Sequence, residues 1–148
     1  FFLLRVDPKK KMIFNPEESI DFHGFTGPFV QYTHARIKSI LRKNEAASTT
    51  IVPGLNDTTL LPLEKDVLVQ LELFPTIIAE AAAEHDPSKI AIYVFSVAQI
   101  FNSFYSQHSI TNAESEAKKQ LRLQIATNCA QVIKTGMKVL GIQVPERM

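Results

Sequence analysis

The chain has 148 residues, 45% of them apolar, with a mean hydropathy of +0.01; that supports one domain with a core of its own and is too short for two ordinary ones. Sixteen Lys and Arg stand against fifteen Asp and Glu, a formal charge of +1, so bulk charge does not announce a nucleic-acid partner. A single cysteine, Cys129, excludes an internal disulfide framework and a Cys-rich metal site and fits a reducing cytoplasm, and no apolar run nears the roughly 20 residues that span a bilayer. The opening Phe1-Phe2-Leu3-Leu4 has neither the basic leader nor the cleavage site of a signal peptide and reads as cut from a larger whole.

Placed along the chain, the charges separate. Residues 1–43 carry +4, residues 44–117 carry −8 and residues 118–148 carry +5. Both ends suit an anion if the fold brings them together, while the acidic middle suits a different partner or plain solvation.

Residues 1–26 hold Lys9-Lys10-Lys11, two prolines and several turn formers, and read as an irregular connector with little helix. Thr26 then caps a helix that Pro28 opens and that runs through Lys43. Residues 44–62 lack any period and read as a long loop. From Leu63, apolar residues recur at three and four through Ala81. Pro75 splits this stretch into two helices, because it has no N–H for the preceding turn.

Pro87 and Ser88 open the next helix, whose buried stripe is Ala91, Val94, Phe95, Ala98, Phe101 and Tyr105; its other faces are also apolar, which places it in the middle of a bundle. Asn112 caps the last helix, with Glu114 and Glu116 in its first turn and a core face of Leu121, Ile125, Cys129, Val132 and Leu140; Gly136 and Gly141 mark interruptions or ends. No strand alternation stands out. The expected fold is all-α, about five helices behind the connector: residues 1–26 as connector, residues 27–148 as the helical domain.

Catalytic constellations are thin. His23, His34, His85 and His108 show no metal-ligand spacing and read as surface or loop histidines. Glu80 and Glu84 read as a solvated face, Cys129 as a buried inert thiol, and Gly24 and Gly27 lack the following Lys and Ser or Thr of a phosphate loop. No catalytic or metal-binding residue is expected.

The first long helix says more. Tyr32, Lys43, Arg36, Phe29 and Ile40 share an arc of about 80° at 100° per residue, next to the apolar Ile37, Val30 and Leu41. An aromatic and guanidinium edge suits an unstacked nucleobase, each stacking contact contributing roughly 1–3 kcal/mol. The same spacing also suits core packing.

The run TGPFVQYTHARIKSILRK, from Thr26 to Lys43, resembles the opening helix of the C-terminal anticodon-binding domain of class I arginyl-tRNA synthetases. Phe1 to Phe22, the Phe104-Tyr105 pair, Leu121 to Leu123 and the ending VLGIQVPERM, from Val139 to Met148, are similar to the same family in order, across essentially the whole chain. The resemblance implies a helical domain that grips the anticodon arm of arginine tRNA and works with a catalytic domain of the same parent chain. It places Phe29, Tyr32, Arg36, Tyr105 and Met148 at the RNA. Phe29 departs from relatives that carry a hydroxyl there, and Ser109 stands where some carry a bulky aromatic.

Neither the HIGH-type nor the KMSKS-type motif is present, and Lys9-Lys10-Lys11-Met12 is not the latter. The fragment is therefore expected to be inactive and to need no cofactor, while the parent, an arginine–tRNA ligase of the cytoplasm, uses ATP with magnesium. Neither membrane nor DNA is an expected partner. The rival reading is a helical protein-interaction module that docks a basic partner on the acidic middle, Glu45 to Glu116.

Overall fold

A computed structural model describes residues 1–21, 24–44 and 59–148. His23 and most of the expected 44–62 loop lie outside the described residues. The described residues form a 3-10 turn, Phe2–Arg5, a one-turn helix α1, Pro16–Ser19, and five longer helices: α2, Gly27–Lys43; α3, Pro62–Glu72; α4, Phe74–Glu84; α5, Ser88–Gln107; and α6, Glu116–Val139. No strand occurs among them, as the periodicity predicts.

Local chemistry sets most boundaries. The Thr26 hydroxyl accepts the Phe29 N–H at 3.3 Å and itself donates to the Asp21 carbonyl, with Pro28 in the first turn of α2. The break between α3 and α4 falls at Leu73, two residues before Pro75. The Tyr93 hydroxyl, reaching over from α5, donates to the Gln70 carbonyl at 2.7 Å and serves the end of α3. Burial pushes the Tyr93 phenol up to about 12.

Left-handed His85 (φ 55°) ends α4, with the Asp86 N–H on the Ala81 carbonyl at 2.9 Å. Left-handed Gly141 (φ 75°) ends α6 the same way, with the Ile142 N–H on the Met137 carbonyl at 2.9 Å.

Three expectations at α6 are corrected. Its cap is Ser115, whose Oγ accepts the Lys118 N–H at 3.1 Å, and Asn112 instead donates its backbone N–H to Ser109 Oγ at 3.0 Å in the turn before. Glu114 therefore precedes the helix; its carboxylate serves Arg122 instead, 2.7 Å from Nη2. Gly136 does not interrupt α6. It is buried inside the helix, and a Cβ there would collide with Val94 Cγ1 of α5, so the glycine allows the two backbones to approach.

Helix α5 is the central element and packs on α2, α3, α4 and α6. Ala91, Val94, Val97, Ala98, Phe101 and Phe104 are buried along it, whereas Tyr105, assigned to the same stripe by spacing, lies outside the core at 37% exposure. Residues 1–26 are also tied to the bundle. The rings of Phe1 and Phe25 are 5.1 Å apart, and those of Phe25 and Phe95 4.7 Å, so an aromatic row joins this segment to α5.

At the far end of α6 from Gly141, Arg122 and Glu64 are both buried and bonded at 2.9 Å, Nε to Oε1. Lys118 and the Leu61 N–H complete the carboxylate, and Arg122 Nη1 donates to the Ser109 carbonyl at 2.6 Å. Burial works to raise the Glu64 carboxyl; the bonds from Lys118, Leu61 and Arg122 outweigh it and hold it below the ordinary range. This cluster fixes the turn between α5 and α6 to the start of α3.

Candidate nucleic-acid interface

The arc on α2 divides at Arg36. Phe29 is half-buried, its ring 5.2 Å from that of Phe95, and Ile40 is buried; both face the core. Tyr32 is 43% exposed and Lys43 is also outside. Arg36 lies at the border, its guanidinium 4.7 Å above the Tyr32 ring and its Nη1 donating to Asn102 Oδ1 of α5 at 2.9 Å. Tyr105 follows Asn102 by one turn and lies parallel to Phe101, ring centres 6.1 Å apart. Tyr32, Arg36 and Asn102 thus form one partly exposed edge where α2 meets α5, and Tyr105 lies one turn further along α5.

The neighbouring face of α2 is covered by the chain's own C-terminus. Gln31 Nε2 donates to the Gln143 carbonyl at 2.8 Å, His34 Nδ1 meets the Pro145 carbonyl at 2.9 Å, and Arg42 Nη1 donates to the Glu146 carbonyl at 2.9 Å. The Glu146 carboxylate pairs with Lys38 at 3.1 Å and with Lys134 at 3.3 Å. Residues 143–146 therefore run beside α2 in the same direction, and the first long helix and the C-terminus lie side by side. Met148 is 63% exposed beyond this strap, whose contacts lie roughly a third of a turn around α2 from Tyr32.

His34 corrects the expectation of surface or loop histidines, being 1% exposed. A carbonyl can only accept, so Nδ1 carries the proton, and Nε2 is buried with no hydrogen-bond partner among the described residues. Burial lowers its pKa against the opposing pull of the Pro145 carbonyl and Glu146. The irregular tail over this face, which buries His34, leaves no mark on a helical wheel.

The basic C-terminal block is also less available than its count implies. Arg122 is committed to Glu64 and Glu114, Lys118 to Glu64, and Lys134 to Glu146. Among the described residues, no group of three or more His, Cys, Asp or Glu is arranged to hold a metal, and no helix is long and apolar enough to cross a membrane. Glu80 and Glu84 share Lys89 at 3.3 and 2.7 Å. Cys129 is fully buried, its thiol pushed up to about 12 by burial, as an inert core residue requires. Asn102 is the residue that periodicity missed, because it lies within the apolar run of α5.

The fold and this edge define a helical module with a partly exposed aromatic and cationic surface. The DALR anticodon binding domain family matches residues 30–148, and the chain belongs to that family. It is 49% identical over 148 residues to an arginine–tRNA ligase of Flavobacterium psychrophilum, covering all of this chain and 24% of that protein. An arginine–tRNA ligase of Phocaeicola vulgatus is 44% identical over 149 residues, with 25% of it covered. The fold matches Thermus thermophilus arginyl-tRNA synthetase with a TM-score of 0.86 at 34% identity, over 97% of this chain and 25% of that one. The chain spans about a quarter of the length of the curated relatives it matches.

Proposed function

We propose that this chain is the part of an arginine–tRNA ligase that holds the anticodon arm of arginine tRNA. The observation that carries the reading is the Arg36 guanidinium over the Tyr32 ring, at an edge that Tyr105 extends. Such an edge offers ring faces for unstacked bases and N–H donors for phosphate or base oxygens. In this reading Tyr32, Arg36 and Tyr105 touch RNA, Phe29 packs on Phe95 one turn before Tyr32, and Met148 approaches the loop from the end of the strap. Residues 1–26 connect residues 27–148 to the catalytic domain of the parent. The parent joins arginine to its tRNA in the cytoplasm with ATP and magnesium, and this chain supplies recognition alone.

Titration of the chain with arginine tRNA and a non-cognate tRNA at low and moderate salt tests the reading. Preferential binding of the cognate tRNA that weakens as salt rises is expected, because phosphate contacts release counterions. Equal binding of both tRNAs, or none at low salt, counts against it. The rival, a basic protein docked on the acidic middle, has one feature in its favour: an open groove of about 290 Å³ lined by Leu73, Ile77 and Ile92 beside Glu80. It predicts binding that maps to α3–α5 and is indifferent to tRNA.

A further inference from the structure

Asn102 has the geometry of a device that sets how Arg36 is presented. Its Nδ2 donates to Thr33 Oγ1 at 2.9 Å, Thr33 Oγ1 donates to the Phe29 carbonyl at 2.9 Å, and its Oδ1 accepts from Arg36 Nη1 at 2.9 Å. The directions are forced. The Thr33 hydroxyl has one proton, spent on a carbonyl that can only accept, so it must receive from Asn102. That turns the amide oxygen toward Arg36, a group with donors and no acceptor. Flipping the amide would set its NH2 against the guanidinium, donor against donor, so each member of the chain from Phe29 to Arg36 reinforces one arrangement.

The consequence is preorganisation. Arginine has a long, freely rotating stem, and the ordering cost at an interface falls when the side chain is already fixed before the partner arrives. Here the guanidinium is held twice, by Asn102 at one N–H and by its place over the Tyr32 ring. We propose that Asn102 is a positioning residue for RNA recognition: it holds Arg36 over the Tyr32 ring, so that the guanidinium N–H groups not spent on Asn102 meet an acceptor oxygen of an unstacked nucleotide. This rests on the proposed RNA-facing role of the Tyr32 and Arg36 edge. The acceptor belongs either to a base or to a phosphate, and salt dependence separates the two.

The test uses the full-length parent enzyme with Asn102→Ala, Arg36→Ala and the double variant, and steady-state aminoacylation of arginine tRNA. Asn102→Ala is expected to raise KM for tRNA about 5- to 10-fold, the scale of the ordering cost of one long side chain at an interface, with kcat changed less than about twofold. In the Arg36→Ala background it is expected to add nothing. An equal effect in both backgrounds overturns the inference, since Asn102 would then act without Arg36. So does a fall in kcat with KM for tRNA unchanged. If Arg36→Ala itself leaves KM unchanged, the underlying RNA reading fails first, and the inference with it.

Should Asn102→Ala not fold, Thr33→Val and Thr33→Ser give the same answer from the other end. Thr33→Val removes the acceptor that orients the amide and is expected to raise KM for tRNA, while Thr33→Ser restores the parent value; equal behaviour of the two overturns the proposal. The salt slope of tRNA binding should drop by about one in Arg36→Ala if the acceptor is phosphate. It should stay constant, with weaker discrimination between anticodons, if the acceptor is a base.

Discussion

His34 Nδ1 lies 2.9 Å from the carbonyl oxygen of Pro145, a residue 111 positions further along the chain. That bond is the middle of three that fasten residues 143–146 to α2, and it joins the two ends that carry the positive charge. Its acceptor is a proline carbonyl, so Nδ1 carries the proton, and a second proton could go only on Nε2, which is buried with no hydrogen-bond partner among the described residues.

A pH dependence follows. The folded-state pKa of His34 is lowered from 6.5, so the unfolded chain takes the proton more readily. The stabilisation is complete above the ordinary histidine pKa and is lost as pH falls below 6.5 through the folded value. Thermal denaturation between about pH 8 and pH 5 should show the parent chain losing stability relative to His34→Gln, which cannot titrate. Hydrogen exchange at Ile142, Gln143 and Val144 should rise over the same range. Parallel curves for the two proteins would mean that His34 is not the responsive group.

Gly136→Ala is expected to destabilise the chain. Alanine gains about 1 kcal/mol of helix propensity over glycine, but overpacking costs roughly 1–3 kcal/mol, and the obstruction is fully buried Val94, whose branched Cβ restricts its rotamers. The double variant with Val94→Ala should recover part of the loss, giving a favourable coupling in a denaturant cycle. An unchanged or raised midpoint for Gly136→Ala alone would show that α5 and α6 separate without cost.

Glu64→Ala should cost about 3–5 kcal/mol, because it leaves the buried Arg122 without its Nε partner. Replacing both, Glu64→Leu with Arg122→Met, should cost less than the single change, since desolvation of both charges then disappears. The Glu64 carboxyl is held below its ordinary 4.5, so this stability is present above that value and is lost as pH falls through the folded pKa. Urea titrations at neutral pH and near pH 4 would measure both effects. A double variant no better than Glu64→Ala would contradict this account.

The helices were legible because their signals are local. Thr26 with Pro28, Pro75, Pro87 with Ser88, and Gly141 each carry a boundary in their own backbone chemistry. What stayed hidden depends on partners distant in sequence. Gly136 reads as an interruption or end until Val94 is seen against it, Arg122 enters only as one charge of the basic C-terminal block until Glu64 is found beside it, and Asn112 reads as a cap although Ser115 takes that role. The candidate site divides the same way. Tyr32 and Arg36 share an arc on any helical wheel, whereas Asn102 joins them only through the packing of α5 on α2.

Phe29 and Tyr32 lie three residues apart on one helix, and their variants should behave oppositely. The Phe29 ring packs on Phe95 and is half-buried, so Phe29→Ala should lower stability by about 1–3 kcal/mol, less than the 3–5 kcal/mol of a fully buried ring. Tyr32 is 43% exposed, and its loss removes a contact with Arg36 that is weak in water, so Tyr32→Ala should leave the unfolding midpoint nearly unchanged. In tRNA titration Tyr32→Ala should cost roughly 1–3 kcal/mol of binding, the contribution of one stacked base. Far-ultraviolet circular dichroism, a urea midpoint and a tRNA titration on the two variants decide the matter. If Tyr32→Ala unfolds the chain, or binds tRNA as well as the parent does, the ring is not an RNA contact and the edge between α2 and α5 loses its centre.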